Sequence, residues 1–497
     1  MRLLKSRSYI YALLIIFFPF KESIAQDKDP VYSRETEAKI KQVENSLAGW
    51  YQASADSLTF WNLKDRMAWF HIPGVSIAVV HKYKIEWARG YGWADTAEHR
   101  LVNTWTLFQA ASISKSINAI GILTLAQDKK ADLYTDINQY LKTWSYPYDS
   151  VAGGKRITLA LLLSHQAGLN VGGFEGYKTG KYLPTIDQML EGQTPANSER
   201  LHSLFAPGLH PSYSGGGILL SRKVLEDVTG QSYDQYMWNK VLKPMGMTHS
   251  FFTQPPSKEM YPLLATAYDK QGREIEGKFR IYPEMAPDGL WTTPTDLGRY
   301  IVETQLAYKG KSHKVLSPEF TRLRLRPYPD SSIALGTFIS KKGDGKYFEH
   351  GGQNEGFLSH YYGGIENGEG VVIMVNSSNG TALINEIASS VSLVYDWKNF
   401  YHPEIKKVIS VPKVLLQTYA GEYMLNNRIP NTIEFEGKNL VLIVNHKDAY
   451  PLLFTSEAEF FIYEVPYSGR FVKNAAGVVD TIIINRNGEE TFKAIRK

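Results

Sequence analysis

In the segment Phe108-Gln109-Ala110-Ala111-Ser112-Ile113-Ser114-Lys115-Ser116-Ile117, Ser112 and Lys115 are the two residues that could do chemistry together. Apolar residues continue at Ile113, Ile117, Ile120 and Leu123, which predicts a helix. Ser112 then falls in its first turn, with Lys115 about one turn further along the same face. No other charge follows until after Ala126. The lysine is therefore expected to point into a partly buried site, where burial disfavours its ammonium form. A neutral amine there would accept the Ser112 proton and make the hydroxyl a nucleophile. Ser-x-x-Lys also occurs on many solvated helices, and the pair alone does not separate the two readings.

Two further clusters could complete such a site. Tyr213-Ser214-Gly215-Gly216-Gly217 brings a tyrosine into a glycine triplet that opens a predicted helix. It reads either as a close backbone approach to a ligand or as a loop tyrosine beside a helix start. His350-Gly351-Gly352-Gln353 ends a predicted strand. The two glycines would let a substrate lie against the strand edge, and the alternative is a plain hairpin turn. His350 has no second ligand at i+2 or i+4, so no metal site is expected, and no cofactor is implied.

The elements that must position these residues fit a mixed fold. At 497 residues the chain has room for two domains, and its 43% hydrophobic and 21% charged content is ordinary for a globular protein. A net charge of +5 without basic runs gives no reason to expect nucleic acid as a partner. The absence of cysteine excludes disulfides, thiolate metal sites and a cysteine nucleophile. Residues 1–25 read as a signal peptide: Arg2, Lys5 and Arg7, then apolar Tyr9 to Phe20, then Ser23-Ile24-Ala25. Cleavage after Ala25 would send the protein to the periplasm or outside the cell, with no stable membrane span left. An uncleaved anchor is the alternative.

Residues 33–54 read as an amphipathic helix, and 75–91 as a β-hairpin. A mostly helical stretch follows from about Asp132 to Gly230. A helix starts at Thr293 or Thr295 and runs to about Tyr308, short strands fill 332–376, and a helix covers Ala382 to Trp397. Strands on either side of a helical middle predict one α/β domain over 26–400, its sheet completed late by the returning chain. A linker at 401–412, marked by Pro403 and Pro412, leads to a small all-β domain at 413–497.

Taken together, the three clusters resemble the serine β-lactamase/penicillin-binding protein superfamily, in particular its class C β-lactamase-like branch. Ser112 and Lys115 match Ser-x-x-Lys. Tyr213 matches the start of Tyr-x-Asn, with Gly215 in place of the asparagine. His350-Gly351-Gly352 matches the Lys-Thr-Gly or His-x-Gly motif. Pro73-Gly74-Val75, Leu162-Leu163-Ser164-His165-Gln166-Ala167-Gly168-Leu169, Pro244-Met245-Gly246-Met247 and Gly289-Leu290-Trp291-Thr292-Thr293-Pro294 have counterparts in the branch. The resemblance covers about residues 35–400. It implies an α/β (α+β) fold, an antiparallel sheet flanked by helices plus an all-helical subdomain.

The resemblance also implies acyl transfer through an acyl-serine at Ser112. Lys115 and Tyr213 would share proton handling, and the backbone N–H groups of Ser112 and Gln353 would hold the oxyanion. His350, Gly351, Gly352 and Gln353 would flank the substrate. The partner implied is a small acyl compound: a peptide, an ester or a β-lactam. Gly215 cannot supply the amide that holds a substrate's side chain, and His350 offers only part of a positive charge to a substrate carboxylate near neutral pH. Both favour a peptidase or esterase. The alternatives are a penicillin-binding or sensing protein with little turnover, and a class C-like β-lactamase. Oligomeric state is not readable.

Overall fold

A computed structural model describes residues 30–497 apart from 53–57, 329–331, 426–428, 445–447, 464–466 and 487–488. The signal peptide expected at 1–25 lies outside the described residues. No helix among those described is long and apolar enough to cross a membrane.

The centre is an eight-stranded antiparallel sheet. In chain order its strands are β1 (Gly74–His81), β2 (Lys84–Asp95), β3 (Arg100–Leu101), β4 (Ile333–Ala334), β5 (Thr337–Lys342), β6 (Gly345–Asn354), β7 (Phe357–Gly364) and β8 (Gly370–Val375). Their order across the sheet is β3-β2-β1-β8-β7-β6-β5-β4. The early hairpin thus joins the late strands through β1 and β8, with Val75 opposite Val375 and Ile77 opposite Ile373. The chain beyond the helical middle does complete the sheet.

Strand β8 is apolar throughout, and β1 is broken only by Ser76 and its last residue His81, because both faces of the sheet are covered. Along β8, Val371, Ile373 and Val375 belong to one core and Val372 and Met374 to another, as period-two alternation requires. The first core is closed by three helices: α1 (Arg34–Asn45), α2 (Leu63–Trp69) and α6 (Thr381–Val394). Helix α1 starts at Ser33, whose hydroxyl accepts from the Thr36 N–H at 3.1 Å, and buries Ile40 and Val43. Arg66 of α2 donates to both carboxylate oxygens of Glu386 on α6, at 2.8 and 2.5 Å.

The helix expected over 33–54 ends at Asn45. Beyond it Leu47 bridges to Trp61, and Tyr51–Gln52 pairs in parallel with Glu404–Ile405. The apolar spacing there serves extended chain.

On the opposite face lies the helical half. Its central member is α3 (Ser114–Gln127), joined by α4 (Gly215–Thr229), short helices at Leu159–Leu163 and Tyr233–Met237, and α5 (Pro294–Tyr308) against the sheet. Every residue of α3 from Ser114 to Leu125 is buried, so the helix is surrounded by protein on all sides. Helix α5 is capped by Thr293, which accepts from the Asp296 N–H, with Pro294 in the first turn.

The tail forms one nine-stranded antiparallel sheet between Gly421 and Arg496. Its edge strands, Asp448–Pro451 and Leu453–Phe454, are separated in the chain by Leu452 alone. The sheet must therefore curl until its edges nearly meet, around a core that includes Tyr423, Ile433, Phe460, Phe471 and Ile482. Tyr51 packs on Phe461 at 4.8 Å between ring centroids, joining tail to main body.

Candidate active site

Ser112 sits in a 3-10 turn, Ala111–Ile113, that runs directly into α3. The turn is pinned from three sides. Phe108–Gln109 pairs antiparallel with Trp291–Thr292. The Ala110 N–H donates to the Leu290 carbonyl at 2.8 Å. The Ser359 hydroxyl on β7 donates to the Ala110 carbonyl at 3.0 Å. Ala111, just before the serine, has a φ of 49°, a left-handed conformation that costs a side chain of this type energy and is held by these contacts.

The sheet offers this turn a free edge. Strand β5 pairs with β6 only as far as Phe338 opposite Glu349, while β6 runs on to Asn354 with β7 along its other side. The open length carries Gly351, Gly352 and Gln353. A Cβ on Gly352 would lie 2.1 Å from the Ala110 carbonyl oxygen, so only glycine lets strand and turn approach this closely.

Lys115 is fully buried, and its Nζ donates to Ser112 Oγ at 2.8 Å and to the Pro287 carbonyl at 3.0 Å. Tyr213 precedes α4, whose first turn is capped by the Ser214 hydroxyl accepting from the Gly217 N–H. Its ring centroid is 5.0 Å from Lys115 Nζ and 6.3 Å from the His350 ring. The structure thus brings together all the residues singled out in the sequence: Ser112, Lys115, Tyr213, His350, Gly351, Gly352 and Gln353. A cavity of about 470 Å³ opens beside them, lined also by Phe338 and Ile384.

Two charge states differ from the sequence reading. Lys115 was expected to lose its proton through burial. Burial does press that way, but the carboxylate of Asp288, with Oδ1 3.1 Å from Nζ, outweighs it together with Tyr213, and the lysine pKa is raised. Lys115 is an ammonium. His350 was expected to carry part of a positive charge. Burial and the Lys115 charge instead hold its pKa down to about 3, and it is neutral. Its Nδ1 lies 2.6 Å from the Gly351 carbonyl, which fixes the proton on Nδ1. Among the described residues no lysine or arginine lines the cavity, and His360 at its margin is paired with Glu349 at 2.8 Å.

Two site residues escaped the sequence reading. Asp288 accepts a hydrogen bond from Ser112 Oγ at 3.1 Å as well as from Lys115. It stands one residue before the Gly289-Leu290-Trp291 segment, and the pairing of Gln109 with Trp291 carries it to the serine. His165 is buried against Tyr213, with 4.3 Å between ring centroids, and its Nδ1 accepts from the Ser214 N–H at 3.2 Å. Burial, with the Lys115 charge, holds it neutral. The Leu-Leu-x-His-x-x-Gly-Leu segment was the available signal for His165.

Among the described residues, no group of three or more His, Asp or Glu side chains is placed to hold a metal ion. One carboxyl near the site stands apart. Glu284, four residues before Asp288, is fully buried, and neither side-chain oxygen has a hydrogen-bond partner among the described residues. Arg222 beside it donates to the Pro283 and Glu284 carbonyls rather than to the carboxyl. Burial chiefly, and Asp288 less, push its pKa from 4.5 to about 8.

Between those two values the unfolded chain releases a proton that the native protein keeps. The contribution of Glu284 to native stability is therefore full below about pH 4.5 and is lost as the pH climbs through about 8. Glu284→Gln has no such proton. Melting temperatures from pH 5 to 8 should fall less steeply in the variant than in the parent. Parallel profiles would show that Glu284 is not the buried acid.

Comparison with known proteins agrees with this architecture. The beta-lactamase family model matches residues 62–390. A teichoic acid D-alanine hydrolase of Staphylococcus aureus is 27% identical over 263 residues, covering 51% of this chain and 60% of the relative. The chain spans about 60% of the length of the curated relatives it matches. Among solved structures, the octameric penicillin-binding protein homologue from Pyrococcus abyssi superposes with a TM-score of 0.59 at 20% identity, covering 87% of this chain and 98% of that one. The D-amino acid amidase from Ochrobactrum anthropi SV3 gives 0.55 at 18% identity, with 73% and 98% covered. At such identities the structural likeness is one of fold. The family match takes in the serine turn, the tyrosine and the glycine-lined strand edge alike, and the chain belongs to the beta-lactamase family.

Proposed function

We propose that this protein is an exported serine hydrolase that cleaves esters or amides of small acyl compounds through an acyl-serine at Ser112. The observation that carries the reading is the 2.8 Å contact between Ser112 Oγ and the buried Lys115 ammonium, set at the open edge of β6. The charge beside Oγ favours the alkoxide that develops during attack. The backbone N–H groups of Ser112 and Gln353 receive the oxyanion, and such donors are worth roughly 3–4 kcal/mol each. Tyr213 delivers a proton to the leaving group. His165 fixes the plane of the tyrosine ring. The signal-like N-terminus supports export.

The electrostatics favour a substrate without a carboxylate close to the reacting carbonyl. His350 is neutral, and no lysine or arginine among the described residues lines the cavity at Ser112. The adjoining cleft carries Lys178, Lys270 and Arg280, of which Lys178 and Arg280 are engaged by Glu276 and Glu355. A C-terminal D,D-dipeptide or a β-lactam brings a carboxylate, for which the described lining of the Ser112 cavity offers no lysine or arginine. Aminoacyl esters and amides do not. A teichoic acid D-alanine hydrolase and a D-amino acid amidase among the similar proteins point the same way.

A panel of purified-enzyme assays tests this: D- and L-aminoacyl esters and amides, cell-wall stem peptides, and a chromogenic cephalosporin. The expected order places kcat/KM for aminoacyl esters or amides at least tenfold above the carboxylate-bearing substrates. The reverse order would overturn the substrate assignment.

A further inference from the structure

We propose that Asp288 is a catalytic residue, the group that takes the Ser112 proton during acylation. The inference rests on the serine-hydrolase reading above and assigns a step that the three motif clusters leave open. Lys115 donates to Ser112 Oγ at 2.8 Å and cannot also receive its proton. The Ser112 hydroxyl in turn donates to Asp288 Oδ1 at 3.1 Å. No other acceptor among the described residues is hydrogen-bonded to that hydroxyl. His165 Nδ1 already accepts from Ser214, and His350 Nε2, which could accept, has no hydrogen-bond partner among the described residues and so does not hold the Ser112 hydroxyl.

Asp288 is held for this position. It is 4% exposed, its backbone carbonyl accepts from the Asn354 side chain at 3.2 Å, and the same amide donates to Gln109 at 2.8 Å. The end of β6, the approach to the serine turn and the aspartate are therefore tied together by one side chain. Asp288 Oδ2 is buried and has no partner among the described residues, so Oδ1 alone faces both the ammonium and the serine. The slot the family gives to an asparagine is filled differently here. A Cβ at Gly215 would lie 3.1 Å from the Phe174 ring and 3.2 Å from the Gly172 carbonyl. The polar side chain beside Lys115 comes from position 288 instead.

The step balances as follows. The Ser112 proton passes to Asp288 while Oγ bonds to the carbonyl carbon and the π pair moves to oxygen. When the carbonyl re-forms, the bond to the leaving group breaks and that group takes the Tyr213 proton. Lys115 replaces the tyrosine proton and recovers its own from Asp288, so the carboxylate is restored. Deacylation runs the route in reverse, with water in the leaving group's place. The charged or titratable groups that interact with Asp288 are Lys115 on α3 and Tyr282 and Glu284 on its own loop; Tyr213, His165 and His350 interact in turn with Lys115.

The test is the acylation rate of full-length protein with a p-nitrophenyl ester, in the parent, Asp288→Asn and Asp288→Gly, across pH 4 to 9, with melting curves as a check on folding. Asp288→Asn is expected to lower acylation by about 10²- to 10⁴-fold with KM little changed, and to lose the acidic limb of the profile. Formate is expected to restore part of the rate in Asp288→Gly. Retention of the parent rate within threefold by Asp288→Asn would overturn the assignment. So would a slow variant that keeps the parent pH profile and gains nothing from formate, which would mark a structural role. Failure of the parent to acylate at Ser112 is a different outcome and would overturn the hydrolase reading itself.

Discussion

Ser112→Ala should abolish ester turnover, with a fall in kcat of about 10⁶-fold, the scale seen when a serine hydrolase loses its nucleophile. The reason is local. Oγ is the only atom that the proposed reaction joins to the substrate, and nothing beside it can substitute. Lys115 is an ammonium and has no free electron pair. The Tyr213 ring centroid is 5.0 Å from that ammonium, and its phenol serves the proposed reaction as a proton donor, not as a nucleophile. The fold should survive, because Lys115 keeps Asp288 at 3.1 Å and the Pro287 carbonyl at 3.0 Å when the hydroxyl is gone. Steady-state turnover of an activated ester, together with mass spectrometry of protein treated with a serine-directed acyl probe, checks both halves. The parent should gain one adduct on the peptide containing Ser112 and the variant none. A variant that still labels or turns over would move the nucleophile elsewhere.

How far the sequence revealed this site depends on which kind of information each residue carries. Ser112, Lys115, Tyr213 and His350-Gly351-Gly352 are legible because residue type and order carry them. Asp288 is not, because nothing in Pro287-Asp288-Gly289 marks a site until Gln109 pairs with Trp291 and swings the loop onto the serine turn. The protonation of Lys115 failed for the same reason. Burial was readable from the apolar run after it, whereas the counter-charge lies far along the chain.

The fold follows the same rule. The β1–β2 hairpin and the limits of α5 follow from local patterns, a β-branched run and a threonine cap before proline. Helix α1 was overextended because Leu47 and Tyr51 keep a helical spacing but are used by Trp61 and Glu404, partners that only tertiary structure supplies. In the tail an all-β domain was legible but its closure was not, because that comes from edge strands meeting across Leu452.

Gly352→Ala is the substitution that should separate strand-edge geometry from serine chemistry. Gly351 and Gly352 are neighbours on β6, and neither has a left-handed φ, so backbone conformation permits alanine at both. Their surroundings differ. At Gly351 a Cβ would meet the His360 ring at 3.2 Å and the Ser359 carbonyl at 3.8 Å, contacts that a small shift of the ring relieves. At Gly352 it would meet the Ala110 carbonyl oxygen at 2.1 Å and the Ser359 hydroxyl at 2.5 Å. Backbone cannot swing aside as a side chain can, so strand and turn must part, breaking the 3.0 Å bond between Ser359 and Ala110.

Overpacking of this kind costs about 1–3 kcal/mol of stability. The larger effect should be on rate. Ser112 lies two residues from Ala110 and Gln353 is next to Gly352, so the same displacement separates the two proposed oxyanion donors. A shift of about 1 Å at such a centre costs on the order of 10²-fold. Gly352→Ala should therefore lose at least that much in kcat/KM for an activated ester while still folding, and Gly351→Ala should stay within a fewfold of the parent. Measured side by side with melting temperatures, equal activity in the two variants would mean that the open edge of β6 does not shape the reaction, because only one of the two new methyl groups points at the turn that carries the serine.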